Sequence, residues 1–215
     1  TAVDLRAGKN LAGLFYPPSA VIADPDCLDS LPDDILADGA AEAVKTGILD
    51  GKDLFSLAEN GEIRQNAGRI IELCIAYKAK IVGIDEFERG HRKLLNLGHT
   101  VAHAIEKLSG YTTPHGRAVS IGIAVITHAA ARLGMCRPSD CARILAALRA
   151  CGLPTETSYG AAELAEAALA DKKRSGGNIT LVIPRAIGQC ELVDVPVGEL
   201  RGIIEKGLTA PEGTL

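Results

Sequence analysis

The chain has 215 residues, 47% of them hydrophobic and 23% charged, with a formal net charge of -4 at pH 7. That apolar content is enough to bury a substantial core in one domain or slightly more, and it excludes a disordered chain. An acidic balance without a long basic run gives no electrostatic footprint for nucleic acid, and no stretch reaches the roughly 20 uninterrupted apolar residues of a membrane span, because Thr127-His128 and Arg132 interrupt the longest run.

The first 31 residues are punctuated by Gly, Pro and Asp. They hold one short apolar run, SAVIADPDCL, which reads as a strand ending at Asp24-Pro25. From Asp33 the texture is helical: a first helix is predicted over 33–49, with Pro32 and Asp33-Asp34 suited to its first turn. Residues 62–82 repeat apolar side chains at Ile63, Ala67, Ile70, Ile71, Cys74, Tyr77 and Ile81, the spacing of one helix face. The charged connection DEFERGHRK leads into LNLGHTVAHAIE, residues 95–106, an amphipathic helix that stops at Gly110. After YTTPHG, a helix of small and apolar residues runs to Gly134, followed by one over about 138–151 and a shorter one over 163–170. GNITLVIPRAIGQCELV has the β-branched content and central turn of a hairpin, and a final helix covers roughly 197–207. The expected fold is mainly α, a globular multi-helix domain with a short N-terminal strand segment and a C-terminal β-hairpin.

The six cysteines, at 27, 74, 136, 141, 151 and 190, never form Cys-x-x-Cys, so neither a zinc knuckle nor a disulfide framework is indicated. A reducing, cytoplasmic location without a signal peptide is the default expectation.

The histidine helix carries His99 and His103 on the stripe that also holds Leu95, Ala102 and Ile105. Histidines at i and i+4 project from one side of a helix, which suits a metal; by itself the spacing is equally met by hydrogen-bonded core histidines. PHGRAVSIG places His115 where a new helix begins, and Gly116 beside it allows close backbone approach. In GAAEAVKTGIL, Glu42 and Lys45 stand at i and i+3 among small residues; the alternative to a site is an exposed ion pair worth a few tenths of a kcal/mol. Zinc accepts imidazole nitrogen and carboxylate oxygen, and a catalytic site keeps a position open, so two His and one Glu from separate helices would serve. Glu88, Arg92 and Asn96 recur at four-residue intervals ahead of the histidines. Arg92 offers a planar fork and Asn96 both a donor and an acceptor, and Lys78 and Lys172-Lys173 add cationic donors. Their number beside one candidate metal site points to an anionic, hydroxylated substrate.

GKNLAGLFYPP, AEAVKTGIL, LLNLGHTVAHAIE, HGRAVSIGI and DKKRSGGNITLVIPRAIG, in this order and approximate spacing, resemble the 3-dehydroquinate synthase family. The resemblance spans nearly the whole chain but only about the C-terminal three-fifths of that enzyme. Thr1 is similar to the last residue of the family's Gly-Gly-Lys-Thr loop, so residues 1–31 are expected to be the remnant of a missing N-terminal NAD-binding domain, and 32–215 the helical metal- and substrate-binding domain. The resemblance implies Glu42, His99 and His115 as ligands of Zn2+ (or Co2+). It implies His103 as a phosphate contact and proton-transfer partner, and Asn96 and Lys172, with Lys173 less firmly, as facing the phosphate. Lys78 and Arg92 would bind the substrate carboxylate, and Asn10, Lys45 and Glu88 would position hydroxyls and the reacting carbon. Val101-Ala102, Thr46 and Arg117 depart from the family's usual Phe-Gly, Tyr and Glu, the last reversing a charge beside a ligand.

The implied activity is conversion of 3-deoxy-D-arabino-heptulosonate 7-phosphate to 3-dehydroquinate and phosphate in the shikimate pathway, with zinc as Lewis acid and NAD used without net consumption. The isolated segment is expected to be inactive, and the full-length enzyme a homodimer. Three alternatives remain at this point: a related sugar phosphate cyclase, a metal-dependent alcohol dehydrogenase of similar architecture, and a non-catalytic zinc-binding helical domain.

Overall fold

The computed structural model describes residues 2–5, 8–14, 16, 18–170 and 177–208. Strands β1 (Ala2–Leu5) and β2 (Gly8–Gly13) pair antiparallel, with Val3 opposite Ala12. The helices follow: α1 (Asp33–Asp50), α2 (Lys52–Ala58), α3 (Ala67–Ile84), α4 (His99–Leu108), α5 (His115–Arg132), α6 (Pro138–Ala150) and α7 (Ala161–Leu169). The chain closes with β3 (Asn178–Ala186), β4 (Gln189–Pro196) and α8 (Leu200–Leu208), and short 3-10 turns occupy Pro25–Leu28, His91–Asn96 and Val197–Glu199. The β3–β4 hairpin is antiparallel, with Leu181 opposite Val193. The fold is thus mainly α with a strand pair at each end. No helix among the described residues is long and apolar enough to cross a membrane.

The core is organised around α5. Fourteen of its 18 residues are buried, as expected of a helix apolar on every side. Packed on it are α1, α4, α6, α8 and β3. The approach of α4 is set by two glycines: a Cβ on Gly122 would lie 2.1 Å from the Gly98 carbonyl oxygen, and one on Gly98 would lie 2.7 Å from the Ile123 nitrogen. Only a residue without a side chain permits backbones this close.

Three expectations need correction. The run around Val21 is not a strand: residues 20–24 are irregular, Val21 and Ile22 are 64% and 94% exposed, and no strand among the described residues lies alongside to complete a ladder. The histidine helix starts at His99 rather than at Leu95, because Gly98 takes a left-handed φ of +78° and residues 91–96 form a 3-10 turn. That break brings His99 to the first position of α4. The long helix after residue 62 begins at Ala67, while the seven residues of α2 carried no pattern long enough to announce a helix.

Candidate metal centre and the pocket around it

Glu42 stands midway along α1, between the buried small residues Ala41 and Ala43. Small side chains there let the first turns of α4 and α5 come close. His99 is the first residue of α4 and His115 the first of α5, and their ring centroids lie 5.4 Å apart. The close approach foreseen at Gly116 is present, since a Cβ there would sit 1.9 Å from the Asp38 carbonyl oxygen. On the same turn, the backbone N–H of Arg117 donates to Asp38 Oδ1 at 2.9 Å. Asp38 lies one helical turn before Glu42, so this clamp sets Glu42 opposite His115.

The two oxygens of Glu42 are used differently. Oε2 accepts a 2.6 Å hydrogen bond from Lys45 Nζ, and the lysine is buried, 5% exposed. The pair is therefore internal, not the exposed alternative. Oε1 is out of contact with solvent and has no hydrogen-bond partner among the described residues, although the side chain as a whole is 41% exposed. The Nε2 atoms of His99 and His115 each stand 3.6 Å from it. Their other nitrogens face away: His99 Nδ1 lies 3.1 Å from the Leu97 carbonyl oxygen, and His115 Nδ1 lies 3.2 Å from Glu106 Oε1. A carbonyl only accepts, so His99 Nδ1 carries the proton and its Nε2 lone pair points at Glu42.

One ligand atom from each of Glu42, His99 and His115 lies within 4.8 Å of the other two. Donors held about 2.0–2.1 Å from a tetrahedral zinc ion are separated by roughly 3.4 Å. The 3.6 Å spacings are a few tenths beyond that value and too long for good hydrogen bonds. An orphaned carboxylate oxygen faced at 3.6 Å by one ring nitrogen of each imidazole fits a divalent cation better than it fits the protein alone.

The charges agree. Burial pushes the Glu42 carboxyl up, but the facing His115 ring and the Lys45 ammonium outweigh it and hold the group at about 2. Burial, reinforced by Lys45, depresses His99 to about 4. His115 is raised, chiefly by the Glu42 carboxylate. Near neutral pH Glu42 is ionised and His99 neutral, the states in which both bind metal.

A cavity of about 670 Å³ opens from this cluster, lined by Glu42, Lys45, His99 and His115 and also by Lys78, Glu88, Arg92 and Asn96. Asn96 Nδ2 donates to Glu88 Oε1 at 2.6 Å. Glu88 itself has φ +56°, a left-handed conformation uncommon for a residue with a side chain. The segment is held by Asp85, whose carboxylate accepts the backbone N–H groups of Arg89, Gly90 and Arg92; the Arg92 bond is the first cause that keeps this carboxyl below its ordinary value. The exposed His103 ring packs 5.5 Å from His99 and 6.4 Å from His115, beside the triad and outside it. Asn10 falls in β2, and its side chain, like all of Lys172 and Lys173, lies outside the described residues.

Sequence reasoning missed Glu106, Asp38 and Asp85. Glu106 follows His99 and His103 at i+7 on the same stripe of α4, a position where a carboxylate is unusual; that was the available signal. His128, 8% exposed with Nδ1 3.3 Å from the Gly207 carbonyl oxygen, joins α5 to α8 and is not among the residues lining the cavity.

Residues 39–174 match the family domain described as 3-dehydroquinate synthase C-terminal, and residues 1–38 the domain described as 3-dehydroquinate synthase N-terminal. Similar proteins include the 3-dehydroquinate synthases of Leuconostoc citreum (strain KM20), 38% identical over 96% of this chain and 59% of that protein, and of Latilactobacillus sakei subsp. sakei (strain 23K), 42% identical over 92% and 56%. The chain thus spans less than three-fifths of the length of these curated relatives. Among solved structures, a 2-epi-5-epi-valiolone synthase from Streptomyces hygroscopicus subsp. jinggangensis 5008, with NAD+ and Zn2+ bound, superposes with a TM-score of 0.83 at 26% identity, covering 96% of this chain and 60% of that one. A 2-deoxy-scyllo-inosose synthase complexed with carbaglucose-6-phosphate, NAD+ and Co2+ shares the fold at a TM-score of 0.78 and 24% identity, covering 96% and 61%.

Proposed function

The chain belongs to the 3-dehydroquinate synthase family, and from that premise we propose that it forms the metal- and substrate-binding part of a phosphate-eliminating lyase that converts 3-deoxy-D-arabino-heptulosonate 7-phosphate to 3-dehydroquinate in the shikimate pathway. The observation that carries this reading is the approach of His99 Nε2 and His115 Nε2 to one unpartnered oxygen of Glu42 in a cavity also lined by Lys45, Lys78, Arg92 and Asn96. A zinc (or cobalt) ion held by Glu42, His99 and His115 would supply Lewis acidity toward substrate hydroxyls, and NAD would supply a transient hydride acceptor.

The chain's own groups do the rest in this proposal. Lys78 and Arg92 bind the substrate carboxylate, Arg92 with its planar fork. Asn96, His103 and Lys172, with Lys173 beside it, meet the phosphate. Holding an anion at each end of a flexible chain removes most unproductive shapes before any bond changes. Lys45 keeps Glu42 ionised through its bond to Oε2, and with Asn10 and Glu88 it orients hydroxyls and the reacting carbon. His103, an imidazole beside the three ligands, moves the proton that accompanies phosphate departure. Residues 1–31 are assigned to the end of a dinucleotide-binding domain and 32–215 to this one, in a cytoplasmic enzyme that assembles as a homodimer.

The runner-up is a related sugar phosphate cyclase acting on another substrate. It is favoured by the fold shared with the valiolone and inosose synthases; the higher identity to the 3-dehydroquinate synthases weighs against it. Assaying phosphate release from the heptulosonate phosphate by the full-length protein, beside other phosphorylated sugars and simple polyols, decides. Turnover confined to the heptulosonate phosphate is expected; turnover of another phosphorylated sugar in its place would transfer the assignment to the runner-up.

A further inference from the structure

We propose that Glu106 is a positioning residue for the candidate metal centre: its buried carboxylate fixes His115 in the tautomer with the proton on Nδ1, so that the Nε2 lone pair is presented to the cation. The inference rests on the metal reading above and adds a residue to it.

Glu106 is 3% exposed, on the inner stripe of α4, and its Oε1 lies 3.2 Å from His115 Nδ1. Burying a carboxylate is costly unless it meets donors or a positive charge, so its retention there calls for a partner. The imidazole it meets is the one least constrained by its surroundings: the His115 side chain is 40% exposed, whereas that of His99 is 13% exposed. His99 also obtains its orientation from a neighbouring backbone carbonyl, two residues before it, which the fold of α4 supplies automatically. His115 has no such arrangement. It opens α5 after Pro114, and its Nδ1 reaches across to Glu106 on a different helix.

Without an acceptor at Nδ1, a neutral imidazole shifts its proton to Nε2 or rotates about its χ2 bond, and either change removes the lone pair from the direction of Glu42. A carboxylate opposes both, because it accepts a hydrogen bond and offers none. The residue also bridges elements: α4 contributes His99 at its first turn and Glu106 near its end, so one helix supplies a ligand directly and aims a second ligand borne by α5.

The test compares the 215-residue chain with its Glu106→Gln, Glu106→Asp and His115→Ala variants. Zinc affinity is read by competition with a chromogenic chelator, and the ring-nitrogen chemical shifts of His115 are read by 15N NMR of the metal-free proteins. Glu106→Gln is nearly isosteric, but its amide also donates and so accommodates either tautomer; it is expected to weaken zinc binding about 10- to 100-fold, the usual effect of losing an outer carboxylate. The same variant should move the His115 nitrogen shifts away from the pure Nδ1–H pattern, while Glu106→Asp, which keeps the charge, should recover part of both. Circular dichroism of the metal-free variants separates these effects from loss of fold. Wild-type zinc affinity together with an unchanged His115 tautomer in Glu106→Gln would overturn the inference. If wild type bound no zinc, the metal reading would fall, and the nitrogen shifts would still decide whether Glu106 sets the tautomer.

Discussion

At the scale of single residues, the site is built from groups whose ordinary chemistry has been shifted by their neighbours. Glu42 stays ionised despite burial because Lys45 and His115 face it, and His99 stays neutral because burial and Lys45 disfavour its charge. A consequence for stability follows in the metal-free chain. His99 protonates near pH 4 when folded, below the ordinary 6.5, so between those values the unfolded chain binds the proton first and the folded state loses stability as pH falls. Glu42, depressed from 4.5 to about 2, acts in the same sense over its own lower window. His115, raised when folded, has the opposite sign: its contribution is full in acid and is lost as pH rises through its folded value. In urea titrations of the metal-free chain, wild type should therefore lose more stability than His99→Gln between pH 6.5 and 4, by at most about 3 kcal/mol. Parallel pH profiles for the two would contradict this account of His99.

At the scale of elements, the ligand spacing comes from how three helices meet. The first turn of α5 rests on α1 through Gly116 and Asp38, and α4 rests on α5 through Gly98 and Gly122. Gly116→Ala would drive a methyl group to 1.9 Å from the Asp38 carbonyl oxygen. It should cost about 1–3 kcal/mol of stability and weaken zinc binding by separating His115 from Glu42. Gly202→Ala in α8 is the control, since its Cβ would meet nothing within 4 Å, and Ala is the better helix former. A thermal melt and a zinc titration of each check this; equal behaviour of the two variants would mean that the contact does not set the site. Local pattern was enough to place α1 from its first-turn residues, α5 from its unbroken small and apolar composition, and the body of α3 from its apolar periodicity. It failed where the decisive contact came from another element: the turn at Gly98 lies against Gly122 and Ile123 of α5, and the run at Val21 has the composition of a strand but no strand to pair with among the described residues. The site shows the same divide. The i, i+4 histidines were visible in one helix, but which of them joins Glu42 depends on where α1 and α5 lie, a fact no single helix encodes. The role of Glu106 is hidden for the same reason, since the ring it meets lies on α5.

At the scale of the whole molecule, the cavity gathers charged and polar groups from α1, α3, the 3-10 turn at His91–Asn96, α4 and α5. Large apolar side chains nearer the start of the chain are left uncovered, among them Tyr16 at 78% and Ile22 at 94% exposure. Cover by another domain would take such side chains out of water. The account therefore expects the 215 residues by themselves to bind zinc yet give no NAD-dependent turnover of the heptulosonate phosphate, with activity appearing in the full-length protein. Phosphate release by the segment alone would contradict the proposed division of labour.

The most direct measurement of the central claim is zinc K-edge X-ray absorption on the zinc-loaded chain. The account predicts a first shell of nitrogen and oxygen only, at about 2.0–2.1 Å, with multiple scattering from two imidazoles that falls to one in His99→Ala and in His115→Ala. A sulfur neighbour, as from the cavity-lining Cys74, or a spectrum unchanged by either substitution, would contradict it.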